Sequence, residues 1–380
     1  MPPRFCLFLL AALAIGVATA PLRACPFCGV VGQSLAQRRD AAAAVVIGEP
    51  SGPAAPDAAG LLSQPFLVRQ FIRGDSAVSD EPIPARVAGP VAGTALLFAA
   101  PAGDTRLRWS AVPANEALLA HAVAAPPTSQ PAAARLRWFA ARLEHPEPAI
   151  AEDAFTEFGL APYAAVREAA DAFDAARLRA WVAEPGIDQR RRGFYGLVLG
   201  IVAARETDEK TRRSSLDALT AAIAAPASDF RAGFDGLIAG LLAADGERGL
   251  SFLDERGLFA ADARPADQKH LLAALRFAWE ELGGTIPQAR TADATARLLA
   301  SPVVAADAAV DLARYQAWNH ADAVAALWDS LGTDDPLIRR AVAGYLTACP
   351  LPAAKRHLER IRKRDPERLD AAIKAASLPR

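Results

Sequence analysis

Gly193-Phe194-Tyr195-Gly196-Leu197-Val198-Leu199-Gly200-Ile201-Val202-Ala203-Ala204 returns forty residues later as Gly233-Phe234-Asp235-Gly236-Leu237-Ile238-Ala239-Gly240-Leu241-Leu242-Ala243-Ala244, with seven of twelve positions identical. An offset of 40 lies in the range of helical repeat units, each of which buries its apolar stripe only by stacking on a neighbour. Gly196 and Gly200, like Gly236 and Gly240, stand four apart on one helix face. They predict close approach of a neighbouring helix, at about 1 kcal/mol of helix propensity per glycine relative to alanine. Each apolar core runs for about a dozen residues, short of the roughly 20 a membrane span needs.

The same 3.6-residue period extends outward from this pair. Leu136, Phe139, Ala140 and Leu143 share a face, and helices are expected at 149–158, 163–170 and 174–182, with weaker copies at 271–279, 306–318 and 337–349. Pro336-Leu337-Ile338-Arg339-Arg340-Ala341-Val342-Ala343-Gly344-Tyr345-Leu346 is similar to the second helix of a HEAT repeat in its early proline, paired basic residues and small apolar face. Residues 132–380 are therefore expected to form a HEAT-like α-solenoid. Its last basic stretch, 355–364, reads as a solvated terminal helix, with docking on a partner or a membrane surface as the alternative.

Upstream the period changes to that of strands. Residues 43–49 (Ala-Ala-Val-Val-Ile-Gly-Glu), 65–72, 83–87, 94–99 and 107–112 are short β-prone runs separated by turn signals, which favours a small barrel or sandwich. A linker is expected at 121–131, around Pro126-Pro127-Thr128-Ser129. The fold class is thus α+β and multidomain, with a β-rich domain over 25–120. This domain resembles the netrin-like, OB-type barrel also found in tissue inhibitors of metalloproteinases. The resemblance rests on Cys25 and Cys28, the strand Ala43-Ala44-Val45-Val46-Ile47-Gly48, the strand and turn Phe66-Leu67-Val68-Arg69-Gln70-Phe71-Ile72-Arg73-Gly74, and Thr94-Ala95-Leu96-Leu97-Phe98. Such domains pin their N-terminus by disulfides to later cysteines, whereas here no cysteine follows Cys28 before Cys349. Arg73-Gly74-Asp75 matches an adhesion tripeptide, but a turn after a strand accounts for it.

At the N-terminus, Arg4, an apolar run over 5–20 and a small-residue exit read as a secretory signal peptide over 1–24. Cleavage after Ala24 releases Cys25-Pro26-Phe27-Cys28 into a periplasmic, cell-envelope or secreted setting. Leu22, three residues before Cys25, also resembles a bacterial lipoprotein box, which would put a lipid anchor on Cys25. Three cysteines then remain. Either Cys25 and Cys28 form a disulfide and Cys349 is buried, or a lipidated Cys25 leaves Cys28 to pair with Cys349. Redox catalysis by Cys25 and Cys28 would need a preceding strand and a following helix to lower a thiol pKa, and the signal peptide occupies the strand's place.

Chemistry elsewhere is sparse. Forty-two Lys and Arg balance 43 Asp and Glu, so no basic excess points to nucleic acid. His145, Glu147, Glu152 and Asp153 gather metal-capable groups, yet the carboxylates are expected in a helix's first turn, facing its dipole. Gly32-Gln33-Ser34-Leu35-Ala36 nearly copies a hydrolase nucleophile elbow but lacks the final glycine and the preceding strand. Asp311, Arg314, Tyr315, Trp318, Asn319 and His320 read as core packing around an Asp–Arg pair, with a ligand pocket as the alternative. The phosphate loop, the zinc-protease helix and the calcium loop are absent from the sequence, so no cofactor, metal or catalytic residue is expected. The chain as a whole resembles a family of exported bacterial proteins, of no assigned activity, with a signal peptide, Cys-Pro-Phe-Cys, a small β domain and a helical C-terminal region. The expected role is a non-enzymatic scaffold that binds a protein partner through its helical surface, without a transmembrane segment in the mature chain. The alternative is an exported thiol-disulfide or metal-handling protein using Cys25 and Cys28.

Overall fold

The computed structural model describes residues 32–74, 81–102 and 107–377. The signal segment, Cys25, Cys28 and Asp75 lie outside them. Helix α1 (Leu35–Ala41) leads into strands β1 (Ala44–Pro50), β2 (Ala55–Pro56), β3 (Leu62–Arg73), β4 (Ile83–Arg86), β5 (Ala95–Pro101) and β6 (Leu107–Pro113). Five of these close a β-barrel in the order β1-β5-β6-β4-β3 and back to β1; β2 adds to the edge of β3. β4 and β6 run parallel, and the other pairs are antiparallel.

Alternation along the strands explains why β5 is apolar at successive positions. Ala95 and Leu97 point into the barrel with Val46, Phe66 and Ala85, while Leu96 and Phe98 point outward with Val45 onto Leu35, Leu118 and Ile150 of the surrounding helices. Both faces of the strand are covered. Gly48, also inward, leaves no room for more: an added Cβ would lie 3.0 Å from Leu97 Cδ1. β3 stops at Arg73 because Gly74 turns with φ +99° close against Ala44, so the first two residues of the adhesion-like tripeptide are a strand end and its turn.

The linker expected from 121 is corrected at its start. Residues 121–124 complete α2 (Glu116–Ala124), which Asn115 caps by accepting from Leu118 N. α2 packs Leu118 and Ala122 against the barrel's outer face. A His-Ala-Val-Ala run beside two prolines reads as loop, but the apolar face of β1 and β5 needs a cover.

The remaining helices are α3 (Ala132–Ala140), α4 (Pro148–Leu160), α5 (Tyr163–Glu168), α6 (Ala175–Ala183), α7 (Gln189–Arg205), α8 (Glu209–Ala224), α9 (Phe234–Glu255), α10 (Pro265–Glu281), α11 (Gln288–Arg297), α12 (Ala305–Arg314), α13 (Ala321–Ala326), α14 (Pro336–Ala348), α15 (Pro352–Arg364) and α16 (Pro366–Ser377). One hydrophobic core runs through them, from Ala133 to Ala372. α12, α14 and α16 lie side by side, with α13 and α15 packed behind.

The two copies of the repeated dodecapeptide fall on α7 and α9, and the neighbour each glycine face admits is the other copy. A Cβ added to Gly200 would stand 2.0 Å from the Gly240 carbonyl oxygen, and one added to Gly240 would stand 2.1 Å from that of Gly196. Backbone meets backbone along this seam, so Gly196, Gly200, Gly236 and Gly240 are required by space and not by conformation, whereas Gly233, at φ +81°, is required by both. Farther along, Gly246 departs from helical geometry (φ 56°, ψ −124°) and divides α9 into two segments.

Candidate functional site

Ser34 caps α1 in a capping box: its Oγ accepts from Gln37 N at 3.1 Å while Ser34 N donates to Gln37 Oε1. The same hydroxyl donates to Glu157 of α4, and Arg135 of α3 clamps the other oxygen of that carboxylate. One turn earlier on α4, Asp153 accepts from Leu35 N at 2.6 Å and meets His121 Nε2 of α2 at 2.8 Å. Arg39 of α1 donates to the carbonyls of Ala122 and Ala125, at 2.8 and 2.7 Å. All six side chains are buried. Burial pushes the Glu157 carboxyl above its ordinary range, and the Ser34 hydrogen bond and the Arg135 charge hold it down only in part. This network joins α1, which leads into the barrel, to α2, α3 and α4.

The serine of the near-elbow is thus a cap and an anchor, with a carboxylate partner and no histidine. The expected grouping of His145, Glu147, Glu152 and Asp153 disperses. Glu147 caps α4 by accepting from Ala149 N; Glu152 pairs with Arg191 at 2.9 Å; His145 Nδ1 accepts from Glu147 N. Glu152 and Asp153 sit in the second turn of α4, beyond the first-turn position expected of them, and Asp153 turns inward. Among the described residues no three His, Cys, Asp or Glu side chains converge on a point that could hold a metal.

The 311–320 cluster separates in the same way. Asp311 pairs chiefly with Arg276 of α10, at 2.5 Å, and more distantly with Arg314, at 3.6 Å. Burial raises the Asp311 carboxyl above its usual range and, joined by the Asp311 charge, raises the Tyr315 phenol as well. Tyr315 stacks on Trp279 with ring centroids 4.1 Å apart, Trp318 packs edge-on against Tyr345, and His320 turns to Asp293 at 3.2 Å. Cys349 is buried at the end of α14 and has no disulfide partner among the described residues, while Cys25 and Cys28 lie outside them.

An open groove of about 650 Å³ lies between α12 and α14, with Ala376 of α16 also lining it. Val303, Ala306 and Val310 form one wall and Leu337, Ile338 and Ala341 the other; Asp307, Arg314, Asp335 and Arg340 stand at its margins. Leu337 is 64% exposed and Val303 37%, and the two stand on opposite walls of the same apolar groove. The sequence carries a signal for this site. Ile338, Ala341, Val342 and Tyr345 complete the buried stripe of α14, so Leu337 is an apolar residue outside it. Comparison with family models, with curated proteins and with solved structures gave no match for this chain.

Proposed function

We propose that this protein is a non-enzymatic interaction scaffold of the cell envelope, in which an OB-type barrel is fused to a HEAT-like helical array that receives a protein partner in the α12–α14 groove. The single observation that carries the reading is that groove, apolar along both walls and fringed by charges of both signs. Such a surface suits an amphipathic peptide or helix seated by a few apolar anchors. Two features support the structural terms. The barrel's ring order, with β4 and β6 as its parallel pair, supports the OB-type term. The packing of α7 on α9, which carry the two copies forty residues apart, supports the helical-repeat term. Export rests on the N-terminal sequence alone. No described helix is long and apolar enough to cross a membrane.

A photoreactive residue at position 337 tests the reading in cells that make the protein. It should yield one discrete adduct that is lost in Val303→Glu, a substitution at a part-exposed position of the groove wall. The same probe at Leu61, 45% exposed on the barrel side, should not yield that adduct. Identical adducts from both positions, or none from 337, would remove the groove as the site.

A further inference from the structure

α15 carries six Lys and Arg and one Glu in thirteen residues, in a chain whose net charge is −1. Its inner side is anchored by buried Ala354 and Ile361 with half-buried Leu358. Some of its polar groups are committed within the fold: His357 to Asp322 at 2.6 Å, Arg362 to Asp370 at 3.2 Å and Arg364 to Asp329 at 2.6 Å. Lys355, Arg356, Arg360 and Lys363 are exposed and have no ion-pair partner among the described residues. At 100° per residue these four fall within an arc of about 140°, and at 1.5 Å per residue they extend over about 12 Å. Glu359 is the one anion within that arc, leaving a net charge of three. Leu351, 41% exposed, stands just before the helix.

We infer that α15 is a docking face for a bilayer surface rich in anionic lipid. The form of the patch selects this occupant. Recognition of one acidic ligand or peptide calls for cations that converge on a cleft, and none of the four lines a cavity found among the described residues. Instead they fan out over one open helix face. A fluid sheet of mobile anionic headgroups needs no matching geometry, and each cation near such a surface contributes roughly a fivefold gain in partitioning. The buried apolar side of α15 is held by the protein itself, so the attachment is electrostatic, reversible and sensitive to salt.

The test is flotation of the full chain with vesicles of phosphatidylcholine alone and of phosphatidylcholine mixed with phosphatidylglycerol. The apolar run over residues 5–20 would bind both kinds alike, so the readout is the increment that phosphatidylglycerol adds. That increment should be present at low salt and vanish near 0.5 M salt, where the Debye length falls to roughly 4 Å. In Lys355→Glu/Arg356→Glu/Arg360→Glu/Lys363→Glu it should fall at least about a hundredfold with the circular dichroism spectrum unchanged. The milder Lys355→Gln/Lys363→Gln should lose about 25-fold, which keeps the idea testable if the fourfold reversal does not fold. A control reversing Arg69, Arg190, Arg248 and Arg290, all exposed and away from α15, should keep the increment. Absence of a phosphatidylglycerol increment, or equal loss in the control, overturns the inference. Binding to soluble polyglutamate without binding to the anionic vesicles would overturn it too, in favour of an acidic polypeptide partner.

Discussion

Two joints hold this molecule together, and they are built from opposite materials. Where the barrel's leading helix meets the helical array, Ser34, Arg39, His121, Arg135, Asp153 and Glu157 form a buried polar network. Where α7 meets α9, glycines on both helices bring backbones into direct contact. The polar joint gets specificity from directed hydrogen bonds, and its net stabilisation is a small difference between desolvation and attraction. The glycine joint has no charges to titrate and nothing that salt can screen; its strength is close packing along the whole seam. A single removed partner breaks the first joint, and a single added carbon breaks the second.

The largest effect is expected at the polar joint. Glu157→Ala leaves the Arg135 guanidinium and the Ser34 hydroxyl buried without their carboxylate, and should cost about 3–5 kcal/mol in denaturant unfolding. Replacing both charges, in Arg135→Met/Glu157→Leu, should recover most of that loss, since well-packed apolar pairs match buried ion pairs. A loss below about 1 kcal/mol in the single variant would show that the joint does not depend on this carboxylate. The sign with pH follows from the raised Glu157 value. The proton-linked part of its contribution is fully present below the ordinary carboxyl value of 4.5 and is lost as pH rises through the folded value, while the pairing with Arg135 and Ser34 remains.

Next comes the glycine seam. Gly200→Ala gains about 1 kcal/mol of helix propensity but places a methyl 2.0 Å from the Gly240 carbonyl, so α7 and α9 must separate. A net loss of about 3 kcal/mol is expected, with a matching fall in melting temperature. Gly344→Ala on α14 supplies the contrast. Its added Cβ would meet Ala376 Cβ at an ordinary 3.4 Å, so propensity should dominate and stability rise by about 0.5–1 kcal/mol. If both alanines behaved alike, helix propensity and not the seam would be setting the outcome.

The two joints differ as much in how far they can be read from sequence. The seam is written in one dimension: glycines spaced by four in two copies forty residues apart already state that a helix approaches closely, and the structure adds only that the approaching helix is the other copy. The five barrel strands are legible for the same reason, because alternation and turn residues are local. The polar joint brings Ser34 to Glu157 across 123 residues, and no local pattern distinguishes a carboxylate that will anchor another helix from one that faces water. Asp153 therefore looks like a residue meeting a helix dipole, and His121 like the start of a linker. α2 and α8 also escape a reading by apolar stripe, since α2 is small and alanine-rich and α8 buries only Ser215, Leu219 and Ile223. The groove is half legible: Leu337 stands outside its stripe, but the opposite wall comes from α12.

The smallest effect expected separates the two chemistries within the helical array itself, close to the glycine seam. His270 of α10 points at the 225–233 loop, where its Nε2 meets the Phe230 carbonyl at 2.9 Å and its Nδ1 faces Asp235 at 3.6 Å. Burial lowers its pKa, but the Asp235 carboxylate, the Phe230 carbonyl and the more distant Asp267 together outweigh burial and leave the ring easier to protonate than a free histidine. Arg231, from the same loop, pairs with Asp267 at 3.5 Å. With the folded pKa raised, the contribution of His270 is fully present below the ordinary value of 6.5 and is lost as pH rises through the folded value. Amide exchange in the loop, corrected for its intrinsic pH dependence, should therefore show severalfold stronger protection at mildly acidic pH than at mildly alkaline pH. His270→Asn should remove that difference, while exchange along α7 and α9 stays unchanged across the same range. A pH response shared equally by the loop and the seam would mean that the glycine joint is coupled to the charges around it, and the division between the two kinds of joint would fail.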